Sequence, residues 1–272
     1  MIVGMTGSGK TGLGVVLPAK LAKRDPRDDL GISKENGEQR LEKVRDRVGK
    51  LQERLFAEGR RSALLVLQGL DASGKDGVVR SVFDEVNPQG CSVVSFRAPT
   101  STELAHDYLW RVHAALPPRG TIGIFHRSHY EDVVAVRMLD LAPKEVWSRR
   151  PGHIRAFEQM LVDEGTAIVK VFLHVSKDEQ RERFQERIDD PEKRWKFKRA
   201  DLEVRRRFDD YVAAWDEVIG ETSTEWAPWH VVPADRNWLK ALVVGELLVE
   251  ALEALDPQFP EPEDGLEGLV VE

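Results

Sequence analysis

A chain of 272 residues, 41% of them hydrophobic and 32% charged, can bury a substantial core and has the balance of a globular protein. Its formal charge of −7 argues against a general nucleic-acid binder, and no apolar run reaches the length of a membrane span. The single cysteine, Cys91, cannot close an internal disulfide and no secretory leader pattern opens the chain, so a cytoplasmic protein is expected.

The first motif is GMTGSGKT at residues 4–11, which satisfies the full phosphate-loop pattern G-x-x-x-x-G-K-[ST]. Its context does not fit. Only Met1, Ile2 and Val3 precede it, too few for a central strand, and Pro18 follows soon after. Residues 1–35 are therefore read as a non-functional N-terminal extension, residues 36–256 as the functional domain, and residues 257–272 as an irregular tail.

Leu41, Val44, Val48, Leu51 and Leu55 recur at helical spacing and predict an amphipathic helix over residues 34–58. The apolar run 63–67 then reads as a strand buried on both faces. It breaks into the loop 69–74 and restarts as a helix at Lys75, the strand–loop–Lys–helix order that a phosphate loop requires. Backbone N–H groups of Gly69, Ala72, Ser73, Gly74, Lys75 and Asp76 are the expected phosphate cradle. Asp76 replaces the hydroxyl that normally holds the metal, and Asp71 is the first candidate to take over that role.

Farther along, Val78, Val79, Val82 and Phe83 predict a helix that stops near Asn87-Pro88, and 92–96 a second strand. A helix over 100–116 and a third strand over 121–125 follow. Ile154, Phe157 and Leu161 mark another helix face. Residues 167–175 and 229–232 read as the fourth and fifth strands, and 237–255 as the last helix. Strands alternating with helices predict an α/β phosphate-loop fold, a parallel sheet covered by helices on both faces.

Ligands of such sheets gather beyond the carboxyl ends of the strands. His126, Arg127, Glu131 and Asp132 follow the third strand, so an arginine and two carboxylates are expected in the layer of the Lys75 loop. Arg127 suits a bidentate phosphate clamp, and Asp71 with Asp132 suits magnesium. His126 and His129 lack a third ligand at metal spacing and are read as polar positioning groups. Trp195, Trp215, Trp226 and Trp229 are read as core and loop anchors. From 181 to 207 eleven Lys and Arg face seven Asp and Glu, a basic segment in an acidic chain. It is expected to form a helical lid over residues 178–205, with Arg183 and Arg187 one turn apart on its phosphate-facing side.

Six stretches in order, GLDASGKDG at 69–77, VNPQG at 86–90, HRSHYED at 126–132, LAPKEVWSRR at 141–150, DPEKRWKF at 190–197 and ETSTEWAPWHVVPADRNW at 221–238, resemble polyphosphate kinase family 2. The HYED version is similar to its class III branch. That resemblance implies a kinase transferring phosphate from inorganic polyphosphate to AMP and ADP, with Mg²⁺ or Mn²⁺ on Asp71 and Asp132. It places Lys75, Arg127 and Arg183 on the phosphates and Glu131 at the monophosphate acceptor, and it implies a homodimer or homotetramer. His126 departs from the Asn or Asp usual at its position. The rival readings are an ATP-dependent nucleotide kinase of thymidylate-kinase type, disfavoured by Asp76, and a non-catalytic nucleotide-binding module, which needs no such set of carboxylates and arginines.

Overall fold

The computed structural model describes residues 20–264, 266 and 269–271. The GMTGSGKT stretch lies outside them. Five strands, β1 (Ser62–Gly69), β2 (Cys91–Ser95), β3 (Ile122–His126), β4 (Thr166–His174) and β5 (Trp229–Pro233), form one sheet in the order β2-β3-β1-β4-β5. Every pairing is parallel, as the alternation of strands and helices predicts. All eight residues of β1 are buried, because this strand is central and covered on both faces.

The helices are α1 (Lys34–Glu58), α2 (Lys75–Val82), α3 (Ser101–Leu104), α4 (Trp110–Ala114), α5 (Glu131–Met138), α6 (Lys144–Trp147), α7 (Arg150–Asp163), α8 (Lys177–Asp189), α9 (Ala200–Arg206), α10 (Phe208–Thr222) and α11 (Asn237–Leu255). One layer holds α1, α2 and α11; the other holds α5, α7 and α10. Helix α1 keeps the predicted bounds for local reasons. The Ser33 hydroxyl accepts from the Asn36 N–H at its start, and Gly59 ends it in the left-handed region at φ 65°.

Three expectations change. The helix predicted over 100–116 is two short pieces, α3 and α4, because Ala105 caps the single turn opened by the Thr100–Glu103 capping box and a new turn starts at Asp107, whose carbonyl accepts from the Trp110 N–H. Helix α2 stops at Val82, before Asn87-Pro88. The boundary expected near residue 35 falls inside packed chain. Leu21 is buried and its N–H donates to Asp216 Oδ1 at 2.7 Å, while Asp235 N–H donates to the Pro26 carbonyl.

A buried polar group lies between the sheet and α7. Lys170 Nζ donates to Glu158 Oε2 at 2.6 Å, to the Tyr130 hydroxyl at 3.0 Å and to the Thr222 carbonyl at 2.8 Å. Tyr130 also donates to Glu158 Oε1 at 2.7 Å, which fixes the residue just before α5. Removing one partner of a buried ion pair leaves the other charge uncompensated. Glu158→Ala should therefore cost about 3–5 kcal/mol in urea unfolding, and Glu158→Ala with Lys170→Met should recover most of it. A loss below about 1 kcal/mol in the single variant would show that this pair does not anchor the layer.

Candidate active site

The loop between β1 and α2 is held in an unusual backbone. Gly69 has φ 149°, Ala72 φ 62° and Gly74 φ 96°, and Arg127 across the sheet has φ 63°. For Ala72 and Arg127 the left-handed region costs about 1–2 kcal/mol each, so surrounding contacts must enforce it. Those contacts run to carbonyls. Lys75 Nζ donates to the Gly69 carbonyl at 2.7 Å and the Leu70 carbonyl at 3.2 Å. Gln180 Nε2 donates to the Asp71 carbonyl at 2.9 Å. With its carbonyls engaged and no side chain capping the start of α2, the loop leaves backbone N–H groups for an anion.

Because β3 pairs with β1 from Ala63↔Ile122 to Leu67↔His126, the end of β3 comes level with the loop. Arg127 pairs with Asp71 through Nη2 and lies 3.8 Å from Glu131 through Nη1. Lys75 is buried, and burial, then Arg127, pulls its ammonium down to about 8. Burial raises Glu131, against the pull of Arg127 and Lys75. In the amide orientation that satisfies both neighbours, Gln68 donates to Glu131 Oε1 at 3.1 Å and accepts from Ser128. Asp71, Lys75, Arg127 and Glu131 thus form one electrostatic cluster.

Asp132 is paired with a different arginine from Asp71. Its Oδ2 accepts from Arg111 Nη2 at 3.0 Å in a buried pair, and Arg150 donates to its backbone carbonyl. Among the described residues no group of three or more His, Cys, Asp or Glu could hold a metal alone. An ion that takes one or two carboxylates and completes its shell with phosphate oxygens needs no such group, and Asp71 with Asp132 offers oxygen donors only. The donor set fits a hard divalent cation.

Asp76 points outward and is paired with His126, whose Nε2 lies 2.7 Å from Asp76 Oδ1. That contact holds the Asp76 carboxyl down to about 2, so it stays anionic, and of its groups only the backbone N–H suits a phosphate. His129 is buried with Nε2 3.5 Å from Glu158, in the packed layer rather than at a metal centre. Trp215 and Trp229 are core residues, whereas Trp195 is 76% exposed and Trp226 41%.

Arg183 departs from the role of lid arginine. Its Nη1 donates to the Ala72 and Ser73 carbonyls at 2.9 and 3.1 Å, Nη2 to the Ala234 and Asp235 carbonyls at 2.9 and 2.8 Å, and Nε lies 2.8 Å from Glu179. All five N–H groups are engaged with protein, so Arg183 braces the loop instead of reaching phosphate. Arg187 stacks on Phe184 and faces Asp201 of α9, which also senses Asp71 and Arg127. Arg111, Gln68 and Gln180 escaped sequence reading because their partners are distant in the chain. Lys240 also escaped, although a lone lysine in the apolar stretch LKALVVG was a usable signal.

Polyphosphate kinase 2 is the family whose model matches residues 31–260. This chain belongs to that family. It is 53% identical to the AMP/ADP-polyphosphate phosphotransferase of Meiothermus ruber, over 93% of this chain and 96% of that one. It is 47% identical to the ADP-polyphosphate phosphotransferase of Rhodopseudomonas palustris, over 86% and 85%. The crystal structure of polyphosphate kinase 2 from Arthrobacter aurescens superposes with a TM-score of 0.90 at 41% identity, covering 94% of this chain and 92% of that one.

Three variants separate the roles of the cations. Lys75→Ala should lower turnover by about two to three orders of magnitude with the fold intact by circular dichroism, as loss of a preorganised charge does; near-normal turnover would take the loop out of the active site. Arg183→Ala should cost about 2–4 kcal/mol of stability through its lost charge-assisted bonds. Arg187→Ala should change unfolding little and weaken polyphosphate use by roughly tenfold, in line with the loss of one half-buried charge facing a phosphate. The reverse pattern in the melting curves and kinetics would restore Arg183 as the lid arginine.

Proposed function

We propose that the protein transfers the terminal phosphoryl group of inorganic polyphosphate to AMP and to ADP, giving ADP and ATP. The observation that carries this reading is the loop itself: N–H donors, Asp71 and Lys75 after β1, with Arg127 and Glu131 beside them after β3. The site presents charge for phosphates, and the printed names of the Meiothermus and Rhodopseudomonas relatives support the donor and the acceptors.

The acceptor phosphate is already a nucleophile, so the residues need only bind, align and neutralise. An oxygen of the AMP or ADP terminal phosphate attacks the end phosphorus of the chain. The bond from that phosphorus to its bridging oxygen breaks, and a polyphosphate one unit shorter leaves. Loop N–H groups and Lys75 hold the phosphates and offset the charge that grows on the bridging oxygen. Arg127 aligns the donor, and Arg187 adds a cation from α8. Glu131 sets the acceptor position for a monophosphate. Asp71 and Asp132 would hold Mg²⁺, or Mn²⁺ in its place, which would supply positive charge to offset that of the phosphates.

A reducing cytoplasm and a homo-oligomer are part of the same reading. Among the described residues no helix is long and apolar enough to cross a membrane. Leu104, Leu139, Leu141 and Val146 are exposed apolar side chains available to a second copy.

The test is ³¹P NMR of AMP, polyphosphate and Mg²⁺ without ATP. ADP resonances should appear first and ATP resonances later; no nucleotide product from a folded sample would contradict the proposal. Glu131→Ala should cut AMP phosphorylation at least tenfold more than ADP phosphorylation, and equal losses would remove Glu131 from the acceptor site.

A further inference from the structure

Behind the phosphate loop, on the side away from the β3 cluster, lies a second buried lysine. Lys240 sits in the first turn of α11 and is 1% exposed. Its Nζ donates to the Ser73 carbonyl at 2.9 Å and to the Ala234 carbonyl at 3.2 Å. It presses against the loop so closely that a Cβ at Gly74 would lie 2.1 Å from Nζ. Gly74 is therefore required twice, by its φ of 96° and by the ammonium beside it.

Ser73 is held by two cations, since Arg183 Nη1 also reaches its carbonyl at 3.1 Å. The two differ in what they can do. Arg183 spreads over four carbonyls and remains charged at any ordinary pH. Lys240 makes two bonds, the number a neutral amine can still donate. The groups facing it are Arg183 and Glu179 of α8, Asp235 in the turn before α11, and Lys75 of α2. Burial first, then Arg183, pulls its ammonium down to about 7, with Lys75 pushing the same way and Glu179 and Asp235 opposing.

We propose that Lys240 is a positioning residue for phosphate binding: it fixes the outer wall of the loop at Ser73 and, when protonated, adds its charge to the anion site from behind the backbone. The inference rests on the phosphate-binding reading of this loop. A polyanion in the loop favours the protonated form, and the protonated form favours the polyanion, because the coupling is reciprocal. Below about pH 7 the charge is present in the free protein. Above that pH the amine keeps its two bonds and the charge is lost, so the loop stays shaped but attracts phosphate less.

The experiment is calorimetric titration of the intact protein with tripolyphosphate at constant Mg²⁺, from pH 6 to pH 8.5, for wild type and Lys240→Met. Wild type should bind roughly tenfold tighter than the variant at pH 6, and that advantage should shrink to about threefold or less by pH 8.5, as expected when one coupled charge is removed. The ligand titrates identically in both proteins and cancels from the ratio. The KM for ADP should change by less than about twofold, because the nucleotide site is not touched. Equal affinities at pH 6, or a ratio that stays constant with pH, would overturn the inference and leave Lys240 a structural residue. If Lys240→Met does not fold, Lys240→Gln, which keeps an N–H donor and never carries charge, should show the same pH-dependent ratio; a ratio of one throughout would overturn it. Failure of the wild type to bind tripolyphosphate at any pH would instead overturn the polyphosphate reading and this inference with it.

Discussion

Charge-assisted hydrogen bonds from buried cations to backbone carbonyls hold the turn between β1 and α2, and the chemistry of the molecule depends on them. Lys75 takes the carbonyls of Gly69 and Leu70, Arg183 those of Ala72 and Ser73, and Lys240 that of Ser73. Each bond to a charged donor contributes about 1.5–3 kcal/mol. Together they exceed the cost of about 1–2 kcal/mol for holding Ala72 at a positive φ. With carbonyls tied away, the start of α2 and loop N–H groups other than that of Ser73, which donates to the Leu70 carbonyl, offer a polar surface that suits an anion.

The rest of the fold brings other groups to this surface. Parallel pairing of β3 on β1 sets Arg127 against Asp71, and the turn at Arg127 carries the chain into α5, where Glu131 and Asp132 begin the helix. Below them Tyr130 is pinned by Glu158 and Lys170, so the position of α5 is set from the core. Above, α8 is fastened to the loop through Gln180 and Arg183. The basic residues that remain exposed, among them Lys193, Arg194, Lys198 and Arg199, lie beyond the anchored part of α8. Local positive potential in a chain of net charge −7 thus comes from placement, not from composition.

Much of this was legible in the sequence. All five strands were readable because the inner ones are continuous apolar runs and the phosphate loop marks the first of them. Helices α1 and α11 were readable to the residue, the first from its periodicity and the second from its length. Helix α10 was missed although Phe208, Tyr211, Ala214, Trp215, Val218 and Ile219 form a helical stripe, because it lies directly after the basic lid segment. Spacing alone put Arg183 and Arg187 on one face of α8. Which of them meets the loop depends on α8 packing against residues 71–73, a contact more than a hundred positions away in sequence. The same holds for Arg111 on Asp132 and for Lys240 on Ser73, whose partners no local pattern specifies.

Two stretches of this chain resemble a phosphate loop, residues 4–11 and residues 69–76, and the second is the one expected to bind the phosphates. Amide hydrogen exchange of the intact protein, with and without Mg²⁺ and tripolyphosphate, tests this directly, because bound phosphate occupies the N–H groups it shields. Residues 69–77 should gain protection on adding the ligand, together with 127–132, while residues 4–11 exchange at the same rate in both samples. Protection gained at 4–11 with 69–77 unchanged would contradict it.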